Sequence, residues 1–74
     1  MKTCILLRVD KEKLTPTKDI LEYYEGVVEE AIIIDGTTSI AAWLTVDNKS
    51  RLESFIRDEL NTRDGIQRVE AFVL

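Results

Sequence analysis

Histidine is absent from the 74 residues, and cysteine occurs once, as Cys4. The missing histidine removes the commonest general base. A single cysteine without histidine makes no zinc site and no intrachain disulfide. Glycine occurs three times and proline once, with no Gly-rich phosphate loop among them. Positive charge is the minority: 10 Lys and Arg stand against 14 Asp and Glu, a net charge of −4. That balance lacks the basic stripe that direct binding to DNA or RNA needs. No run approaches the roughly 18 apolar residues of a membrane span. No cleavage-type segment follows Met1-Lys2, so no signal peptide is read. No metal, no cofactor and no catalytic residue is expected, and the free thiol suits a reducing cytoplasm.

What is present is a globular composition, 45% hydrophobic and 32% charged. The length allows one domain, residues 1–74. A domain of this size buries only about 60% of its unfolded surface. With disulfide and metal excluded, oligomerisation is the remaining source of extra stability.

Residues 3–9, "TCILLRV", are β-rich and apolar on both parities, as a central strand is. Thr15 as cap and Pro16 at the first position open a helix over about 16–25, with Ile20, Tyr24 and Val27 at helical spacing. Gly26 stops it. A strand over 28–34, a type I′ turn at Asp35-Gly36 and a strand over 38–46 make a hairpin. A second helix starts from Asp47, Asn48 or Ser50, with Leu52, Phe55, Ile56 and Leu60 as its stripe. Gly65 ends it, and "IQRVEAFVL" is the last strand. The order β-α-β-β-α-β is the ferredoxin-like α+β arrangement. Right-handed crossovers put both helices on one face of an antiparallel sheet ordered 4-1-3-2.

The hairpin carries more apolar residues than one buried face requires. With a two-residue turn, even positions of its first strand pair with odd positions of its second, and partners share a face. One face holds Ala31 and Ile33 with Ile40, Ala42, Leu44 and Val46, and matches the helical stripes. The other holds Val28, Ile32, Ile34, Ala41 and Trp43, with no helix left to cover it. Such a patch marks an interaction surface. A second copy of the same sheet, packed face to face about a two-fold axis, covers it.

Few residues suggest chemistry. Cys4, in an apolar strand, reads as a small core residue. Glu29 and Glu30, as strand neighbours, point to opposite faces. Trp43 reads as a packing anchor rather than a stacking platform. Arg8 pairs with Glu70 across the first and last strands or holds a ligand carboxylate. The acylphosphatase version of the fold lacks its phosphate-cradling Arg loop here. The RNA-recognition version lacks its strand aromatics, and the metallochaperone version its Cys pair.

Several short segments resemble one family. Gly26-Val27, Gly36, Asp47, Leu52, Phe55, Leu60, Gly65-Ile66-Gln67-Arg68 and Val73-Leu74 follow the spacing of the RAM module. This is the effector domain of the Lrp/AsnC feast/famine regulators, and the resemblance covers nearly the whole chain. It implies a sheet-to-sheet dimer, assembled further into rings or octamers, with amino-acid effectors in clefts near the hairpin. No helix-turn-helix precedes the first strand, so the chain resembles a stand-alone RAM domain without direct DNA binding. The family often has an acidic residue at the place of Ser39 and Thr at those of Val69 and Ala71. Gly36, Thr37, Thr38, Ser39, Val69 and Ala71 are the ligand-binding candidates that the resemblance implies.

Three readings follow. One is a non-enzymatic oligomeric sensor of a small metabolite, linked to transcription regulation. Another is a ligand-free oligomerisation module that pairs with a full-length Lrp/AsnC-type regulator. An ACT-like amino-acid-binding domain lies near the first. An enzyme whose site forms across subunits is the third reading.

Overall fold

A computed structural model describes residues 1–74. Its elements are β1 (Lys2–Val9), a 3-10 turn (Lys11–Lys13), α1 (Leu14–Glu22), β2 (Val28–Ile33), β3 (Ser39–Thr45), α2 (Lys49–Phe55), a π-helical turn (Ile56–Leu60) and β4 (Ile66–Val73). The four strands form one antiparallel sheet in the order β2-β3-β1-β4, the expected order read from its other edge.

Strand parity decides the core. Ile5, Leu7 and Val9 of β1, Ala31 of β2 and Ile40, Ala42 and Leu44 of β3 share one side with Leu21, Leu52 and Leu60 from the helical segments. At about 25 cal/mol per Å² of apolar surface, each large side chain there contributes roughly 1.5–3 kcal/mol by leaving water. Both helices therefore cover the same face. β4 adds only the partly buried Ile66 and Val69 to this layer.

The first helix departs from expectation. It begins at Leu14, prolonging the 3-10 turn, so Pro16 is its third residue and Thr15 does not cap it. Proline is tolerated there because the N–H groups of the first turn have no intrahelical partner. Its buried residues are Thr17 and Leu21, while Ile20 and Tyr24 are only half-buried. It also ends sooner, at Glu22, and the Tyr23 and Tyr24 N–H groups bond to Ile20 and Leu21 three residues back.

For α2 the choice among three caps falls to Asn48, whose side chain accepts from the Arg51 N–H at 2.9 Å. The helix then widens: the Asn61 N–H donates to the Ile56 carbonyl at 2.8 Å, a span of five residues. In an uninterrupted α-helix Leu52 and Leu60 lie about 80° apart around the axis. The extra residue in the wide turn brings Leu60 back onto the core side, where it has no exposed surface.

The hairpin also differs from expectation. Asp35 has a negative φ and only Gly36 is positive, at 77°, so the turn is not type I′. Thr37 N–H bonds to the Ile34 carbonyl at 3.1 Å and Ile34 N–H to Ser39 at 3.0 Å. A positive φ at the third turn position alone is the type II pattern. Residues 35–38 thus form a four-residue loop, two longer than expected. Lengthening by two keeps parity, so Ile33 pairs with Ile40 and Ile32 with Ala41, and the face assignment survives.

A bulge breaks that parity at the start of β2. Val28 pairs with Leu44, but Glu30 pairs with Trp43, leaving Glu29 as the extra residue. Val28, expected on the open face, therefore packs against the core. Glu29 and Glu30 both lie on the open side, rather than on opposite faces.

Candidate functional site

The side of the sheet away from the helices is uncovered. Register places its residues in cross-strand rows. One row runs Glu30, Trp43, Cys4, Phe72. The next runs Ile32, Ala41, Leu6, Glu70. The third runs Ser39, Arg8, Arg68, with Ile34 bonded to Ser39 at its β2 end. The apolar centre of this face is Ile32, Ala41, Trp43, Leu6 and Phe72. Ile32 is 40% and Phe72 50% exposed, where a covered strand would bury them. Cys4 is half-buried here, between Trp43 and Phe72, and is not part of the core. Phe72 and Leu6 join the patch unannounced. The alternation of the last strand, once paired in register with β1, identifies them.

The face is charged at both ends. At one end Glu29 accepts from Lys2 Nζ at 3.0 Å and from the Thr45 hydroxyl. The Thr45 bond, then that of Lys2, holds the Glu29 carboxyl below its ordinary value. At the other end lie Arg8 and Arg68. Arg8 stands opposite Arg68, not Glu70 as expected, because β4 pairs Glu70 with Leu6. Glu70 pairs instead with Arg68, at 2.8 Å.

At the hairpin tip Thr37 is held within its own turn. Thr37 Oγ1 donates to the Ile34 carbonyl at 2.8 Å and accepts from the Ser39 N–H at 3.0 Å. The Thr38 carbonyl accepts from Val9 N–H at 3.0 Å. Of the ligand-binding candidates, Ser39 alone lines a depression on the open face, with Leu6, Arg8, Arg68 and Glu70. Val69 and Ala71 pair with Leu7 and Ile5, which puts them on the helical side of the other edge. Within one chain the tip residues Gly36, Thr37 and Thr38 do not meet Val69 and Ala71.

On the helical side, Tyr24, two residues beyond the end of α1, ties that end to the π turn. Its hydroxyl donates to Glu59 at 2.8 Å and accepts from Arg63 at 2.7 Å, and its ring meets Phe55 edge-on at 5.1 Å. A wider depression of about 420 Å³ beside it is lined by Asp47, Arg51, Asp58 and Glu59 among others. Its charges are mixed.

No sequence-family profile matches the chain, and no curated protein matches it. Solved structures do. The crystal structure of FFRP-DM1 superposes with a TM-score of 0.85 at 20% identity, over 100% of this chain and 99% of that one. E. coli AsnC gives 0.77 at 20% identity, over 99% of this chain and 50% of that one. The transcriptional regulator NMB0573 from Neisseria meningitidis, solved as a complex with L-Met, gives 0.78 at 15% identity, over 99% and 49%. This chain shares their fold. It spans about half the length of the latter two, so in the AsnC-type fold it corresponds to one part of those regulators. No helix is long and apolar enough to cross a membrane.

Proposed function

We propose that this chain is a non-enzymatic regulatory module of the Lrp/AsnC type, a RAM domain that assembles through its open sheet face and senses a small metabolite between subunits in the cytoplasm. The observation that carries the reading is the uncovered apolar face of Ile32, Trp43, Leu6 and Phe72 on a fold shared with AsnC-type regulators. Fold and patch support the reading together; neither names a ligand. The L-Met bound to one of the similar regulators makes amino acids the first class to try. Gly36 to Ser39, with Val69 and Ala71 of a neighbouring copy, is the proposed cleft, since one chain keeps these groups apart.

A second reading is favoured by a specific feature. The Thr37 hydroxyl is engaged within its own turn on both its donor and acceptor sides, so its proton is already committed. That suits a ligand-free assembly module paired with a full-length regulator.

Thermal unfolding with each of the twenty amino acids separates the two. A ligand at 100 times its Kd stabilises by about 2.7 kcal/mol. For a domain of this size that is a rise of more than about 10 °C. A rise for one amino acid or a related few supports the sensor. No rise for any of them favours the assembly module.

A further inference from the structure

We infer that the row Ser39–Arg8–Arg68 on the open sheet face is a binding site for a small oxyanion, a carboxylate or a phosphate. Arg8 of β1 stands opposite Arg68 of β4 and opposite Ser39 of β3, so two guanidinium groups and a hydroxyl share one line across three strands. Like charges opposite one another destabilise a sheet. A net charge of −4 makes carboxylates plentiful, yet Arg8 makes no ion pair within the chain. Glu70 neutralises one of the two guanidinium groups, through its 2.8 Å contact with Arg68. One positive charge is left over at a place the fold makes concave.

That place is a depression of about 130 Å³ lined by Leu6, Arg8, Ser39, Arg68 and Glu70. Half-buried Leu6 supplies an apolar wall, which strengthens the field of the cations beside it. Its size suits a phosphate or a short-chain acid. Arginine forks bind such groups through paired N–H donors, and the Ser39 hydroxyl adds a third. The row lies at a charged end of the open face and shares only Ser39 with the cleft proposed above, and the inference rests on the effector reading only for its regulatory meaning.

The test is a titration of the ¹⁵N-labelled wild-type chain with sodium phosphate and, separately, with sodium succinate. Ionic strength is held constant with sodium chloride. Saturable shifts at residues 8, 39, 68 and 70 are expected. Arg8→Gln weakens binding at least tenfold, the cost of losing a charge-assisted hydrogen bond. Without anion, Arg8→Gln melts at or above the wild type, because it relieves the repulsion. A response to phosphate alone assigns a phosphorylated ligand, and one to succinate alone a carboxylic acid. Shifts that chloride reproduces overturn the site. So does an Arg8→Gln variant that loses self-association just as Glu30→Gln does, since Arg8 then pairs with a second copy's glutamate. Sedimentation of the wild type reads the assembly independently, so a monomer that still binds phosphate contradicts the proposed function and leaves this site standing.

Discussion

Thr3 lies in the core layer of β1, between Leu44 and Val73, with no exposed surface and no hydrogen-bond partner for its hydroxyl. Burying a lone hydroxyl costs about 1–3 kcal/mol. Thr3→Val keeps the shape and removes the cost. Urea unfolding of this variant is expected to show a gain of about 1 kcal/mol; a loss would mean that the hydroxyl is satisfied. Glu29 gives a second residue-level test. Its folded-state carboxyl is lowered by Thr45 first and Lys2 second, so it stabilises the fold above its ordinary value of 4.5. That contribution is lost as pH falls through the lowered folded value. In a carboxyl-detected NMR titration, Thr45→Val should move the Glu29 midpoint upward. An unmoved midpoint would remove Thr45 as the main cause. At this scale the sequence was legible wherever alternation was clean, as at Ile40, Ala42 and Leu44. It was not legible at Cys4, because "TCILLRV" is apolar on both parities and gives a single residue no direction.

Hairpin and bulge show what an element's pattern does and does not encode. Gly36 marked the turn correctly, since its φ of 77° suits glycine best. Asp35-Gly36 did not distinguish a two-residue loop from a four-residue one, because both place glycine at a positive φ. The difference lies in the hydrogen bonds of Thr37 and Ser39, which only the folded loop makes. Gly36→Ala meets no steric obstacle, with nothing within 4 Å of the added carbon, so its cost is conformational. About 1–2 kcal/mol is expected, read as a lower urea midpoint at unchanged m-value. No loss would mean that the loop changes turn type without strain. The bulge at Glu29 leaves no mark in the apolar pattern beyond two adjacent glutamates, and it alone moved Val28 from the open face to the core. Likewise, α1 starts where the preceding 3-10 turn hands over at Leu14, which the Thr15-Pro16 signal did not carry.

For the whole molecule the element order sufficed: β-α-β-β-α-β with right-handed crossovers leaves one sheet face bare. The legible part was that this face is apolar around Ile32 and Trp43. The contributions of Leu6, Phe72 and the two arginines depend on the register of β1 with β4, which no local pattern fixes. The proposed cleft from Gly36 to Ser39 with Val69 and Ala71 is incomplete in one chain, so its formation depends on assembly. That makes self-association the central claim, and sedimentation equilibrium of the wild type beside Trp43→Asp tests it most directly. The wild type is expected at twice its 8.5 kDa chain mass or a higher multiple. Trp43→Asp, with Phe72→Asp as a second variant on the same face, is expected at the chain mass with its far-UV circular dichroism unchanged. A wild type that sediments as a monomer, or folded variants that remain assembled, would contradict the account.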